Sequence, residues 1–276
     1  MESAEDGTWR NQKADAVKIR EQPFFVGRGN EEEVFSAAYQ ARLPVMLKGP
    51  TGCGKSRFVE YMAYQLDVPL ITVSCHEDLF ASDLIGRYLL KNDETVWVDG
   101  PLTRAARIGA ICYLDEVVEA RKDTTVVIHP LTDNRRMLPI EKKGEILAAH
   151  PRFLLVVSYN PGYQSVMKDL KQSTRQRFVS IDFSYLDPDQ ETMIVAREGG
   201  VDPGIARALV SLAVKIRAIR DHGLSEGAGT RLLIYAAQLI RLGIPPALAA
   251  RSAVALPLTD DERLLETLGD LIDDVF

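Results

Sequence analysis

Cysteine, tryptophan and histidine are scarce in this chain. Its 276 residues include three cysteines, two tryptophans and four histidines. Cys53, Cys75 and Cys112 stand alone, with no C-x-x-C pair, which points away from a disulfide framework or a cysteine zinc site. An odd number of isolated cysteines suits a reducing compartment, and packing is the expected role of all three. His76, His129, His150 and His222 are scattered without metal-ligand spacing. No apolar run approaches the roughly 20 residues of a membrane helix, so no membrane span is expected. The polar, acidic N-terminus lacks the apolar stretch of a secretion signal, and a cytoplasmic location follows as the expectation. Positive charge is also in short supply. With 33 basic against 39 acidic residues the net charge is −6, so the basic footprint of a nucleic-acid binder is missing.

What is present is ordinary soluble-protein material, 46% apolar and 26% charged, in a length that suits one large domain plus a small one. Residues 1–22 are charged, lack apolar periodicity and read as a flexible arm. From residue 23 to 186 short β-rich runs alternate with helical patterns. The runs are Val45–Lys48, Leu70–Val73, Ala110–Leu114, Phe153–Ser158 and Val179–Phe183. This alternation predicts an α/β domain with a parallel sheet. Two hairpins are expected to interrupt it, at about 88–98 and 136–147. Beyond a hinge near Leu186-Asp187-Pro188, residues 187–276 show only helical periods. Ile205, Ala208, Leu209, Leu212, Ala213, Ile216 and Ile219 form one stripe. Arg231 to Leu242 forms a helix stopped by Gly243, and Thr259-Asp260-Asp261-Glu262 reads as a capping box before Leu264, Leu265, Leu268, Leu271 and Ile272.

The most specific stretch is Gly49-Pro50-Thr51-Gly52-Cys53-Gly54-Lys55-Ser56, which fits G-x-x-x-x-G-K-[ST] without a mismatch. Arg57 follows it directly. An apolar strand leads in, and a helix leads out with Phe58, Val59, Met62, Ala63 and Leu66 on one face. Glycines let backbone N–H groups turn around a phosphate, and the helix N-terminus adds partial positive charge. In this pattern Lys55 reaches the β- and γ-phosphates of ATP and Ser56 ligates Mg²⁺.

Three more strand-end signals follow. Ile111-Cys112-Tyr113-Leu114-Asp115-Glu116 is an apolar run delivering two acids about 60 residues after the phosphate loop. Asp115 would hold Mg²⁺ through water, and Glu116 would orient the attacking water. Adjacent residues of a strand face opposite ways, so each acid takes one job. Asn160, ending the next run before Pro161-Gly162, either reaches the γ-phosphate or simply opens a turn. Arg175 and Arg177 precede the fifth strand. They suit a neighbouring subunit's nucleotide as arginine fingers, or are exposed surface arginines. Arg231, after Gly227-Ala228-Gly229-Thr230, could reach bound nucleotide from the helical region.

Together these residues resemble the AAA+ ATPases of the MoxR branch, within it the CbbQ/NirQ/NorQ group, and most the CbbQ type. The resemblance rests on His76-Glu77-Asp78-Leu79 with Ser82 to Tyr88, Val96 to Leu102, Tyr113 to Glu116 with Glu119-Ala120-Arg121, Asp123-Thr124-Thr125 with His129 to Asp133, and Asn160 to Gln164. It runs from about Leu43 to Phe183 and more loosely to the end. It implies a P-loop AAA+ domain with a five-stranded parallel sheet followed by a small all-helical lid. Lys55 and Ser56 map to Walker A, Asp115 and Glu116 to Walker B, Asn160 to sensor 1 and Arg231 to sensor 2. Arg177 fits the finger position, with Arg175 a second candidate. The hairpins match the helix-2 and pre-sensor-1 inserts. The resemblance further implies a homo-oligomeric ring, usually hexameric, driving a CbbO-like von Willebrand factor A–domain partner. The client would be inhibited Rubisco, freed of sugar phosphates; the alternative is a NorQ/NirQ-type chaperone maturing nitric oxide reductase with a NorD-type partner. A kinase or nucleic-acid ATPase is disfavoured, because no acceptor pocket or strand-binding aromatic pattern is found.

Overall fold

The computed structural model describes residues 18–91, 93–161, 170–219, 223–224 and 226–276. Most of the expected N-terminal arm, Gly162-Tyr163-Gln164 and His222 lie outside the described residues. Among the described residues the chain divides into two compact units. One takes in the chain up to Lys48, Ser56–Tyr159 and the stretch up to Asp182. The other takes in Gly49–Lys55, Asn160 with Pro161, and Phe183–Phe276.

The strands are β1 (Val45–Lys48), β2 (Leu70–Ser74), β3 (Gly86–Lys91), β4 (Glu94–Asp99), β5 (Ile111–Asp115), β6 (Met137–Ile140), β7 (Glu145–Ala148), β8 (Leu154–Tyr159) and β9 (Val179–Asp182). The five runs read as sheet strands are β1, β2, β5, β8 and β9. They form one parallel sheet in the order β2-β5-β8-β1-β9. The helices that accompany it are α1 (Glu31–Ala41), α2 (Lys55–Gln65), α3 (Ala81–Ile85), α4 (Pro101–Ile108), α5 (Lys122–Val127) and α6 (Gln172–Arg175). Every residue of β8 is buried, as is β5 up to Leu114, because a parallel sheet is covered on both faces. On one face Met46, Cys112, Leu114, Leu155 and Val157 share a core with Leu102, Ala105 and Ala106 of α4. Burying a leucine or valine of this kind contributes about 1.5–3 kcal/mol.

The strand pairs β3–β4 and β6–β7 are antiparallel hairpins, each a separate two-stranded sheet. Tyr88 and Trp97 face one another across the first, with ring centroids 5.1 Å apart and edge to face. Both hairpins hang from α4. The Arg107 guanidinium donates from Nε to Asp99 of β4 at 2.8 Å and from its terminal nitrogen to Glu145 of β7 at 2.7–2.8 Å. Asp99 also accepts from the Trp97 indole at 2.6 Å. Nearer the start of α4 the Thr103 hydroxyl donates to the Ile85 carbonyl, and beside Arg107 the His150 amide donates to the Ala106 carbonyl.

The second unit is helical beyond Phe183: α7 (Pro188–Gly199), α8 (Pro203–Ala218), α9 (Thr230–Arg241), α10 (Pro246–Ala250) and α11 (Glu262–Asp273). Asp187, Asp202 and Asp261 cap α7, α8 and α11 with side-chain oxygens on the first free N–H groups. The capping box expected at Thr259 sits two residues later. Asp261 accepts from Arg263 and Leu264, while Thr259 accepts from the Asp261 amide and shapes the preceding turn. The predicted stripe of α8 supplies Leu209, Leu212, Ala213 and Ile216 to the core. They meet Leu233, Ala236 and Ala237 of α9 and Leu268 and Ile272 of α11. At Gly199 a Cβ would come within 2.3 Å of the Ala237 Cβ, so α7 and α9 approach too closely for a side chain there.

Candidate functional site

The phosphate loop Gly49–Lys55 belongs to the second unit and turns on Gly49, Gly52 and Gly54, all with positive φ. A Cβ on Gly49 would lie 2.3 Å from the Phe183 carbonyl oxygen, so only glycine fits. Pro50 and Thr51 follow on the half-buried side of the loop, and Cys53 is buried. Lys55 is itself buried, and its ammonium donates to the carbonyls of Gly49 and Pro50 at 2.8 Å and to Oδ1 of Asn160 at 2.7 Å. Asn160 turns its amide nitrogen to the Thr51 hydroxyl at 2.9 Å. Arg231 opens α9 beside the loop: a Cβ built on Gly52 would stand 3.8 Å from the Arg231 Cβ and 3.1 Å from Gly229 Cα. The structure thus brings Thr51, Lys55, Asn160 and Arg231 together, although they span 180 positions of the chain.

Ser56 and the two acids belong to the first unit. Asp115 ends β5 with both carboxylate oxygens hydrogen-bonded. Oδ1 accepts from the Tyr113 hydroxyl at 2.6 Å and from the Ser158 hydroxyl, and Oδ2 accepts from Ser56 Oγ at 3.2 Å. Serine and carboxylate oxygens are the donors a hard cation prefers, and magnesium leaves most of its coordination to water and phosphate, so Ser56 and Asp115 fit Mg²⁺. Burial, with Asp115 next, drives the Tyr113 phenol well above its ordinary range, so it stays a donor.

Glu116 leaves the strand in the left-handed region, φ 55 and ψ 50, which a residue with a Cβ adopts at a cost of about 1–2 kcal/mol. Its amide is held by Ser158 Oγ at 2.9 Å, and its side chain is exposed. Strain of this sort is retained where the surroundings over-determine it, and here Ser158 ties Asp115 and Glu116 into one corner. Burial, then the charges of Asp115 and Glu116, pushes the Cys75 thiol up to about 12, so it is no nucleophile near neutral pH.

Arg175 ends α6 and Arg177 lies in the turn before β9. Arg177 stands 3.8 Å from Asp133, which Arg135 holds at 2.5 Å. His129 shares this edge, its ring nitrogen 3.2 Å from the Thr174 hydroxyl. Burial, then the Arg177 and Lys171 charges, holds its imidazole below the ordinary range and so neutral near pH 7. The two arginines and the acids are at opposite ends of the sheet. Leu114 is level with Val157, Met46 and Ser180 in successive strands, so Asp115 at the C-terminal end of β5 and Arg177 before the N-terminal end of β9 are three strands apart. At ~4.8 Å per strand the lateral separation alone is about 14 Å, beyond an arginine's reach. Arg57 is exposed on α2, 3.3 Å from Glu60.

Sequence reasoning missed Tyr113 and Ser158, whose signal is a hydroxyl inside an otherwise apolar strand. It also missed Glu226 and Tyr185. Thr51 donates to Glu226 Oε1 at 2.7 Å, and the Tyr185 hydroxyl lies 3.4 Å from the Thr51 carbonyl. Nothing in the local pattern of either residue marks it.

Comparison with known proteins agrees with this arrangement. Residues 44–178 match the AAA domain (dynein-related subfamily), and residues 191–275 match the CbbQ/NirQ/NorQ C-terminal family. Protein CbbQ of Hydrogenophilus thermoluteolus is 61% identical over 246 residues, 89% of this chain and 92% of that protein. Protein NorQ of Paracoccus denitrificans is 58% identical over 254 residues, 92% of this chain and 94% of that protein. The denitrification regulatory protein NirQ of Pseudomonas aeruginosa is 56% identical over 251 residues, 91% and 96% of the two chains. Among solved structures, a mutant of Thermotoga maritima RuvB superposes with a TM-score of 0.57 at 14% identity, covering 93% of this chain and 74% of that one. That likeness concerns the fold alone.

Proposed function

The chain belongs to the CbbQ/NirQ/NorQ family of AAA-domain ATPases, and on that premise we propose that it is a ring motor that remodels inhibited Rubisco with a von Willebrand factor A–domain partner. Among the described residues no helix is long and apolar enough to cross a membrane, and the acidic balance gives no footprint for nucleic acid. The observation that carries the ATPase site is the meeting of Lys55 with Asn160 at 2.7 Å, together with Ser56 against Asp115 and Glu116 beside it.

In this reading the loop from Gly49 to Ser56, with Arg57, binds the triphosphate. Ser56 and Asp115 would hold magnesium, which when bound would supply charge neutralisation at the phosphates. Glu116 orients a water whose oxygen bonds to the γ-phosphorus as the bond to the β–γ bridging oxygen breaks, giving ADP and phosphate. Lys55 stabilises the charge that spreads over the γ-phosphoryl. The matching cation is Arg177 of the next subunit, with Arg175 as second candidate. The placement of Arg177 three strands from Asp115 and at the opposite end of the sheet within one chain supports a finger acting across a homo-oligomeric, hexameric ring. Asn160 and Arg231 report the loss of the γ-phosphate, and the motion passes to the hairpins, which engage the partner in the cytoplasm.

The second reading, maturation of nitric oxide reductase with a NorD-type partner, draws on the comparable identities to NorQ and NirQ. One experiment separates the two. ATP turnover is measured alone, with an A-domain partner, and with that partner plus either sugar-phosphate-inhibited Rubisco or immature nitric oxide reductase. Recovery of carboxylase activity that depends on ATP is the expected result. Response to the reductase alone would replace this client with the other.

A further inference from the structure

Four side chains of the second unit form a hydrogen-bonded line that runs away from the phosphate loop. Lys55 Nζ donates to Asn160 Oδ1 at 2.7 Å, Asn160 Nδ2 donates to Thr51 Oγ1 at 2.9 Å, and Thr51 Oγ1 donates to Glu226 Oε1 at 2.7 Å. The direction of every bond is determined by its ends. An ammonium can only donate, so the oxygen of the Asn160 amide must face Lys55 and its NH₂ must face Thr51. The Thr51 oxygen then receives a proton and must send its own elsewhere, and a carboxylate, which accepts, lies in line. Lys55 thus fixes which way the amide faces, and Glu226 fixes which way the Thr51 hydroxyl faces.

Glu226 is in turn held in place by its neighbours. Gly229 packs on the loop so closely that a Cβ there would lie 2.9 Å from the Thr51 carbonyl oxygen and 3.1 Å from Gly52 Cα. The Tyr185 hydroxyl lies 3.4 Å from the Thr51 carbonyl and 3.3 Å from the Gly227 carbonyl. The Tyr185 ring is stacked under Arg217, whose Cζ is 3.7 Å from its centroid, and Arg217 Nε donates to the Ala228 carbonyl at 2.8 Å. The backbone of 227–229, which follows Glu226, is thus held against the loop that carries Thr51.

We propose that Glu226 is a positioning residue: by taking the Thr51 proton it keeps the Thr51 oxygen an acceptor for the Asn160 NH₂ and so holds the amide that Lys55 orients from its other side. Its consequence for hydrolysis rests on the role given to Asn160 above. With Glu226 removed, the Thr51 hydroxyl is free to turn its proton toward Asn160, and the amide is held from the Lys55 side alone.

The test uses the full chain and reads the relay in two ways. Asparagine-selective ¹⁵N labelling gives the Asn160 side-chain NH₂ signals, identified by their loss in Asn160→Ala. Glu226→Ala and Thr51→Val are each expected to shift these signals and speed their solvent exchange about tenfold, although Glu226 does not touch Asn160. Glu226→Gln, which keeps an acceptor oxygen, restores most of the wild-type signal position. In ATP turnover both truncations lower kcat about 3–10-fold, Glu226→Ala keeps ADP affinity within about twofold, and the double variant falls no further in kcat than the worse single one. Unmoved Asn160 signals in Glu226→Ala, or losses that multiply in the double variant, overturn the proposal. Signals that move while turnover stays at the wild-type level uphold the relay and instead remove Asn160 from the hydrolytic machinery.

Discussion

Arg217 lies side by side with Glu191, NH1 on Oε2 and NH2 on Oε1, each at 2.7 Å. Glu191 is fully buried in the helical unit and takes a third bond from the Thr230 hydroxyl at 2.6 Å. The pair ties α7 to α8 and, through Thr230, to the first turn of α9, the turn that carries Arg231. Removing one member strands the other charge where water cannot reach it. Glu191→Ala is therefore expected to cost about 3–5 kcal/mol, while replacing both by apolar residues costs much less. Urea unfolding followed by circular dichroism on the single and double variants checks this; additive losses would contradict the coupling.

Glu116→Gln keeps the shape of the corner at Ser158 but loses the charge proposed to orient water. It is expected to bind ATP normally and to hydrolyse it about 10²-fold more slowly or worse. Lys55→Ala should lose binding itself, because the ammonium is the fixed charge of the loop. Fluorescent-nucleotide titration and phosphate release distinguish the two; wild-type turnover in Glu116→Gln would refute its assignment.

Because Arg177 and Asp115 are on opposite ends of the sheet, two inactive variants should complement one another. Rings mixed equally from Glu116→Gln and Arg177→Ala subunits contain boundaries in which an intact Glu116 meets an intact Arg177. With random assembly about a quarter of boundaries are complete, so about a quarter of wild-type turnover is expected. If the mixture stays as inactive as its components, the finger does not act across the boundary; the same mixture with Arg175→Ala ranks the two arginines.

The Arg107 clamp predicts that the hairpins loosen together. Arg107→Gln should raise amide exchange in both β3–β4 and β6–β7, and Glu145→Gln, made on the second hairpin, should be felt in the first. Lys143 first, then Arg107, holds the Glu145 carboxyl below the usual range. A carboxyl depressed in the folded state stabilises above its unfolded pKa and loses that contribution as pH falls through its folded pKa. Hairpin protection should therefore hold at neutral pH and fade below the ordinary carboxylate range. Exchange confined to the mutated hairpin would show that Arg107 does not couple them.

Gly49→Ala drives a Cβ to 2.3 Å from the Phe183 carbonyl oxygen, a backbone atom that cannot rotate away. Loss of nucleotide binding is expected, with a lowered melting temperature. Normal affinity in this variant would mean that the loop has another way to turn.

Much of the site was legible from local pattern. Lys55 and Ser56 announce themselves through the spacing of the glycine loop before them, and Asp115 and Glu116 because they end a short apolar strand. Thr259 shows the limit of that reasoning: hydroxyl and acid at capping-box spacing were visible, but Asp261, two residues on, took the cap. Glu226 and Tyr185 could not be found at all. A glutamate 175 positions from its threonine partner looks like any solvated acid until the chain folds.

The sequence by itself determined the phosphate loop, the acid pair, the five strands and the run of helices after them, since glycine spacing and apolar period act within a few residues of chain. Only the tertiary structure decided that Asn160 meets Lys55, that Arg107 serves two hairpins, and that Arg177 stands far from its own acids. Those outcomes depend on strand order and register, which are set by packing between segments that no local pattern joins.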